Sequence, residues 1–133
     1  MIHGLRELDD IDELHAPGGA LEAFVAAKEA GLVKHLGVSG YEDPDVLLAA
    51  LAALPVEVVG LPVYPGAPEG FAARVLPQAR ALGLGVVGLR PLDGGRLASS
   101  AQAALQHAFA LPVDVVVASC AGPSELAELA ARA

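Results

Sequence analysis

The residues able to do chemistry in this chain gather where short apolar runs end. Arg90-Pro91-Leu92-Asp93-Gly94-Gly95-Arg96 follows Gly85-Val86-Val87-Gly88-Leu89. Gly94 and Gly95 carry no Cβ, so their backbone N–H groups can approach a pyrophosphate closely. Arg90 and Arg96 add charge suited to phosphate oxygens, and Asp93 opposes them from within the same loop. Ser119-Cys120-Ala121-Gly122 follows another apolar run. Ser124, with Glu125 in the first turn, reads as the start of a helix whose free N–H groups and positive dipole end suit a phosphate. No Lys or Arg lies in 119–128, so this loop carries no signal for a 2′-phosphate. Ser39 and Gly40 close a third run; a Ser there is either an ordinary turn residue or a ligand contact. His3 ends a fourth. Tyr41 and Tyr64 come after strands, near the same rim.

Other candidates read as structural. Nothing basic lies beside Cys120 to favour a thiolate, and it reads as a buried small residue. One Cys excludes an intramolecular disulfide and a cysteine-only metal site. The four His are spread too widely for a metal cluster, and His15, His35 and His107 read as surface or helix-flank residues.

The elements that must position these groups alternate along the chain. The runs Leu36-Gly37-Val38, Val56 to Leu61, Gly85 to Leu89 and Val113 to Ala118 are short, β-branched and nearly continuous. That is how parallel strands buried on both faces read. Met1 to Leu5 is the end of one more. Between them, residues 19–31 place Leu21, Phe24, Val25 and Leu32 at helical spacing, with Gly31 as a stop. Asp43 and Pro44 form an N-cap and first helical residue, and Val46, Leu47, Leu51 and Leu54 share one face beyond them. In 68–83 the apolar positions are Phe71, Val75, Leu76, Ala79 and Leu82, closed by Gly83; Pro77 predicts a kink or a fresh start. Ser99 or Ser100 caps a helix through Phe109. The acidic stretch Glu7 to Glu13 reads as a solvated connection. The sum is an α/β chain of five parallel βα units. Such units form either an open doubly wound sheet or the larger part of a (β/α)8 barrel, which takes about 250 residues.

Composition sets further bounds. The chain has 133 residues, a formal net charge of −8, 54% hydrophobic and 18% charged residues. That balance excludes disorder and suits one domain, 1–133. Acidity with few aromatics argues against nucleic acid as a partner. No apolar run reaches the roughly 18 residues of a membrane span, and the N-terminus lacks a signal-peptide pattern. A cytoplasmic protein is the expectation.

The segment Gly19 to Gly40, with Gly31-Leu32-Val33-Lys34-His35-Leu36-Gly37-Val38-Ser39-Gly40 at its end, resembles the aldo/keto reductases. So, in order, do Val58 to Pro62, Val75 to Leu92, Asp93 to Leu97, Leu111 to Val117 and Pro123 to Leu126. Each motif is weak alone; the collinear set is specific and favours a partial (β/α)8 TIM barrel, strands four to eight, with the family's first three βα units absent. The resemblance implies an oxidoreductase using NADP or NAD on a small carbonyl substrate. It implies His3 as the catalytic His that orients the carbonyl oxygen. It implies cofactor contacts from Ser39, Gly40, Arg90, Pro91, Leu92, Gly94, Gly95, Arg96, Ser119 and Ser124, and no metal. The family's catalytic Asp, Tyr and Lys fall outside the matched residues, so no carbonyl reduction is expected of this chain alone. Gly40, Gly60 and Leu129 stand where the family often has Asn, Gln and Asn. The alternatives are a non-catalytic nicotinamide-nucleotide-binding half-barrel and an interaction module. In the latter, open sheet edges lead to self-association or to an N-terminal partner chain.

Overall fold

The computed structural model describes residues 1–131. Five strands, β1 (Ile2–Leu5), β2 (Gly37–Gly40), β3 (Val58–Pro62), β4 (Gly85–Leu89) and β5 (Val115–Val117), form one sheet in the order β1-β2-β3-β4-β5. All pairings are parallel. A doubly wound sheet reverses its strand order part-way to cover both faces; this sheet runs in sequence order throughout. Crossovers of one hand then place their helices on one face.

Burial follows from that arrangement. Val38, Val59, Leu61 and Val86 project from one face into a single core with Leu47, Leu51, Phe71, Val75 and Ala79. The other face is the side of Met1, Val115 and Val117, which are 45%, 53% and 48% exposed. The expectation of strands buried on both faces therefore fails for β5. Its valines suit a strand, but nothing among the described residues covers them.

Among the described residues six α-helices accompany the sheet: α1 (Asp9–His15), α2 (Ala20–Glu29), α3 (Pro44–Ala53), α4 (Leu76–Ala81), α5 (Ala101–Ala110) and α6 (Pro123–Ala130). The acidic stretch read as a connection contains α1. Its carboxylates favour a helix N-terminus: Asp10 accepts the N–H groups of Arg6 and Glu7, and Ile11 is buried. With so few apolar residues in seven, the stretch carries little helical period.

Elsewhere local chemistry acts as its residues suggest. Gly31 and Gly83, both at φ +71, end α2 and α4. In each case the two following N–H groups turn back on the helix, as in Gly31 N–H to Lys28 O and Leu32 N–H to Ala27 O. Leu32 and Leu82 lie beyond those faces, 78% and 50% exposed. Asp43 caps α3 by accepting the Asp45 N–H at 2.8 Å. Pro77 is relieved by a wide turn: Phe71–Val75 is π-helical, Leu76 N–H bonds back to Phe71 O, and α4 starts afresh with Pro77 in its first turn. Two caps differ from expectation. Ser100 precedes α5, but its hydroxyl donates to Leu97 O and caps nothing. Gly122, followed by Pro123, precedes α6, and Ser124 lies inside the first turn.

Ion pairs pin the N-terminal ends of the strands. Glu57, just before β3, accepts the Leu36 N–H and pairs with Lys28; the Lys28 ammonium holds its carboxyl below the usual range. Asp114, just before β5, pairs with Arg80 and accepts the Val86 N–H at 2.7 Å. Arg80 again is the main reason its carboxyl is held low. The C-terminal ends are left to the chemistry-bearing loops.

Candidate functional site

β1 and β2 do not pair evenly. Ile2 pairs with Val38 and Leu5 with Gly40, so three steps on β1 meet two on β2. Such a bulge re-aims side chains, and it falls on His3 and Gly4, the latter at φ +76. Ser39 secures it. Its fully buried hydroxyl oxygen accepts the Gly4 N–H at 3.0 Å and lies 2.9 Å from His3 Nδ1. Tyr41 closes the chain, with Oη 2.8 Å from His3 Nε2 and 3.2 Å from Nδ1, and its ring edge-on to the imidazole at 5.3 Å. Tyr41 carries no part of the family resemblance. Its place two residues after a strand-end Ser, on the rim, was the signal available in the sequence.

The second half of the site is the loop after β4. Arg90 and Asp93 are non-glycine residues at positive φ, +56 and +49, a conformation that costs energy and is held here by the anchored loop. The anchors are Pro91 and Leu92, both buried; Leu92 joins Ala104 and Leu105 in a small second core. Arg96 grips both carboxylate oxygens of Asp93 at 2.7 Å and is the main cause of that carboxyl's low pKa. The two charges of that pair offset each other. Arg90 is differently placed. Among the described residues it forms no ion pair, and its guanidinium carbon lies 5.4 Å from the Tyr41 ring centre.

These parts enclose an open cleft of about 310 Å³ at the C-terminal ends of the strands. His3, Arg90, Pro91, Leu92, Gly94, Gly95 and Ser119 line it, together with Tyr41, Leu89 and Val117. The other sequence candidates lie outside the lining. Ser39 sits behind His3. Gly40 faces the helices, where a Cβ would meet Leu5 O and Leu47. Arg96 is turned to Asp93, and Ser124 is in α6. A Cβ at Gly60 would come within 2.6 Å of the tip of the Leu89 side chain and 3.0 Å of Ser39 Cβ, so a side chain there needs Leu89 to move aside.

Two expected phosphate donors are already engaged. The Gly95 N–H bonds to Leu92 O at 2.9 Å, and the Glu125 carboxylate accepts the Ala121 N–H at the start of α6. Cys120 is exposed and not buried as its type suggests; the loop around it runs over the surface. Among the described residues no group of three or more His, Cys, Asp and Glu is placed to hold a metal, and no helix is long and apolar enough to cross a membrane.

No protein-family model matches the chain, and no curated protein matches it.

Proposed function

We propose that the C-terminal edge of this sheet is a nicotinamide-nucleotide site of the aldo/keto reductase type, carried on five βα units of a (β/α)8 barrel. The observation that supports this most is convergence: His3, Arg90 and Ser119, far apart in sequence, line one cleft at the strand ends. That is where ligands gather on barrel scaffolds.

The residues fit such a group in part. Arg90, which forms no ion pair among the described residues, lines the cleft and suits a phosphate. His3 and Tyr41 offer N–H and O–H groups to a carboxamide or carbonyl oxygen. The start of α6 fits poorly, because Glu125 would repel a second phosphate there. With no basic side chain in 119–128, neither NADP nor NAD is favoured. A bound nicotinamide supplies hydride to a small carbonyl substrate. This chain's part is to bind and orient, since the residues that match the family do not include its Asp, Tyr and Lys. We therefore expect binding without turnover. Titration of NADPH and NADH fluorescence should saturate, and an aldehyde panel should leave NADPH unconsumed. A flat titration would overturn the nucleotide reading, and turnover at ordinary enzyme rates would overturn the expectation of inactivity.

A second reading rests on the uncovered face. Met1, Val115 and Val117 are exposed, and β1 and β5 each pair on one side alone among the described residues. Unpaired edges beside apolar surface favour association with another chain, and the chain would then serve as an interaction module.

A further inference from the structure

The two loops beside the cleft carry opposite charge. From Arg90 to Arg96 the loop after β4 holds two arginines and one carboxylate. Arg96 is spent on Asp93, whose two carboxylate oxygens it grips at 2.7 Å. One positive charge is left over, and Arg90 carries it. That side chain is held in place from two sides. Its guanidinium carbon lies 5.4 Å from the Tyr41 ring centre, and its Nη2 stands 3.5 Å from where a Gly94 Cβ would be. Backbone donors add little, since the N–H groups of Asp93, Gly95 and Arg96 bond to Arg90 O, Leu92 O and Asp93 O within the loop.

The loop after β5 is set against a phosphate. The Glu125 carboxylate accepts the Ala121 N–H at the start of α6. That donor is used, and the positive end of the helix already faces an anion. No Lys or Arg lies in 119–128. The neighbouring crevice, which shares Leu92 with the cleft, holds about 140 Å³ and is walled in part by Glu125 and by no described basic side chain. Size points the same way. The cleft, at about 310 Å³, stands at the small end of the roughly 300–1,000 Å³ typical of ligand pockets.

We propose that the site takes a mononucleotide, with its single phosphate on Arg90, and that Glu125 excludes the second phosphate of a dinucleotide. The inference rests on the nucleotide reading of the cleft and narrows its ligand. A phosphate monoester brings three free oxygens, and an arginine fork engages two of them. The apolar wall of Leu89 and Val117 is left for the base. Glu125 acts on specificity without touching the ligand, by its charge and by occupying the Ala121 N–H.

The test titrates the full chain with reduced nicotinamide mononucleotide, NADH and reduced nicotinamide riboside, read by nicotinamide fluorescence. A second phosphate held by the protein would favour NADH by about tenfold or more. The proposal predicts instead that NADH and the mononucleotide bind within about fivefold of each other. The riboside, which lacks the phosphate, should bind about tenfold or more weakly than the mononucleotide. Arg90→Gln should weaken the mononucleotide and NADH by a common factor of about ten or more. Glu125→Ala and Glu125→Gln, the second of which keeps an acceptor for the Ala121 N–H, should each tighten NADH and leave the mononucleotide unchanged. NADH binding more than about fivefold tighter than the mononucleotide, a riboside that binds as well as the mononucleotide, or no gain for NADH in either Glu125 variant would overturn the inference and leave the nucleotide reading standing. If none of the three compounds binds, the nucleotide reading falls with it.

Discussion

Replacing Ser39 by Ala removes one oxygen and should have two linked effects. The hydroxyl serves the bulge of β1 through the Gly4 N–H and orients His3 through Nδ1. Ala fits the strand, so no overpacking arises; the loss is that of hydrogen-bond partners. Leaving a half-buried N–H without an acceptor costs about 1–2 kcal/mol. At roughly 3–5 °C per kcal/mol for a domain of this size, Tm should fall by about 3–10 °C. In urea the midpoint should fall by about 0.5–1 M at an unchanged slope. The second effect is on His3: with its Nδ1 partner gone, the ring ¹⁵N signals should move toward a mixture of tautomers. Ser39→Cys, similar in size but a weak acceptor, should fall between wild type and Ser39→Ala. Thermal and urea unfolding with ring ¹⁵N spectra read all three. A Ser39→Ala protein that melts within about 1 °C of wild type, with His3 signals unmoved, would refute the assignment of this hydroxyl to the bulge.

Three further outcomes are expected. Glu57 and Asp114 titrate lower in the folded chain than in the unfolded one, so their contribution is complete at neutral pH. It is lost as pH falls below about 4, through their folded values; urea midpoints measured against pH should fall less steeply there in Glu57→Gln and Asp114→Asn. Phe71, fully buried in the main core, should cost about 3–5 kcal/mol as Ala, a large share of the 5–15 kcal/mol typical of a domain; a urea shift worth under about 1 kcal/mol would contradict the packing. Val117→Lys, on the uncovered face, should reduce concentration-dependent association in sedimentation velocity if that face drives self-association; identical profiles would count against the second reading.

Sequence reading reached the fold by chemistry that is local and repeated. Four apolar runs and a fifth at the N-terminus became the five strands, and Asp43-Pro44, Gly31 and Gly83 set helix ends through backbone geometry that needs no tertiary context. It missed α1, which is held by Asp10 and by Ile11 and Leu14 packed on the core and leaves no periodic pattern. It misjudged Val115 and Val117, because composition reports what a strand prefers to bury and not whether a covering layer exists. In the site, the glycine-rich loop was legible as a candidate, but the pairing of Arg96 with Asp93 and the use of the Gly95 N–H within its own turn were not. Both are decided by loop conformation. The bond from Tyr41 to His3 spans 38 positions, and it depends on a bulge that is a register event between two strands.

The most direct test of the proposed site is backbone and side-chain chemical-shift mapping during titration with NADPH. The account predicts saturable shifts that cluster at His3, Tyr41, Arg90, Gly94 and Ser119. The absence of saturable shifts, or a saturable set centred elsewhere on the surface, would contradict it.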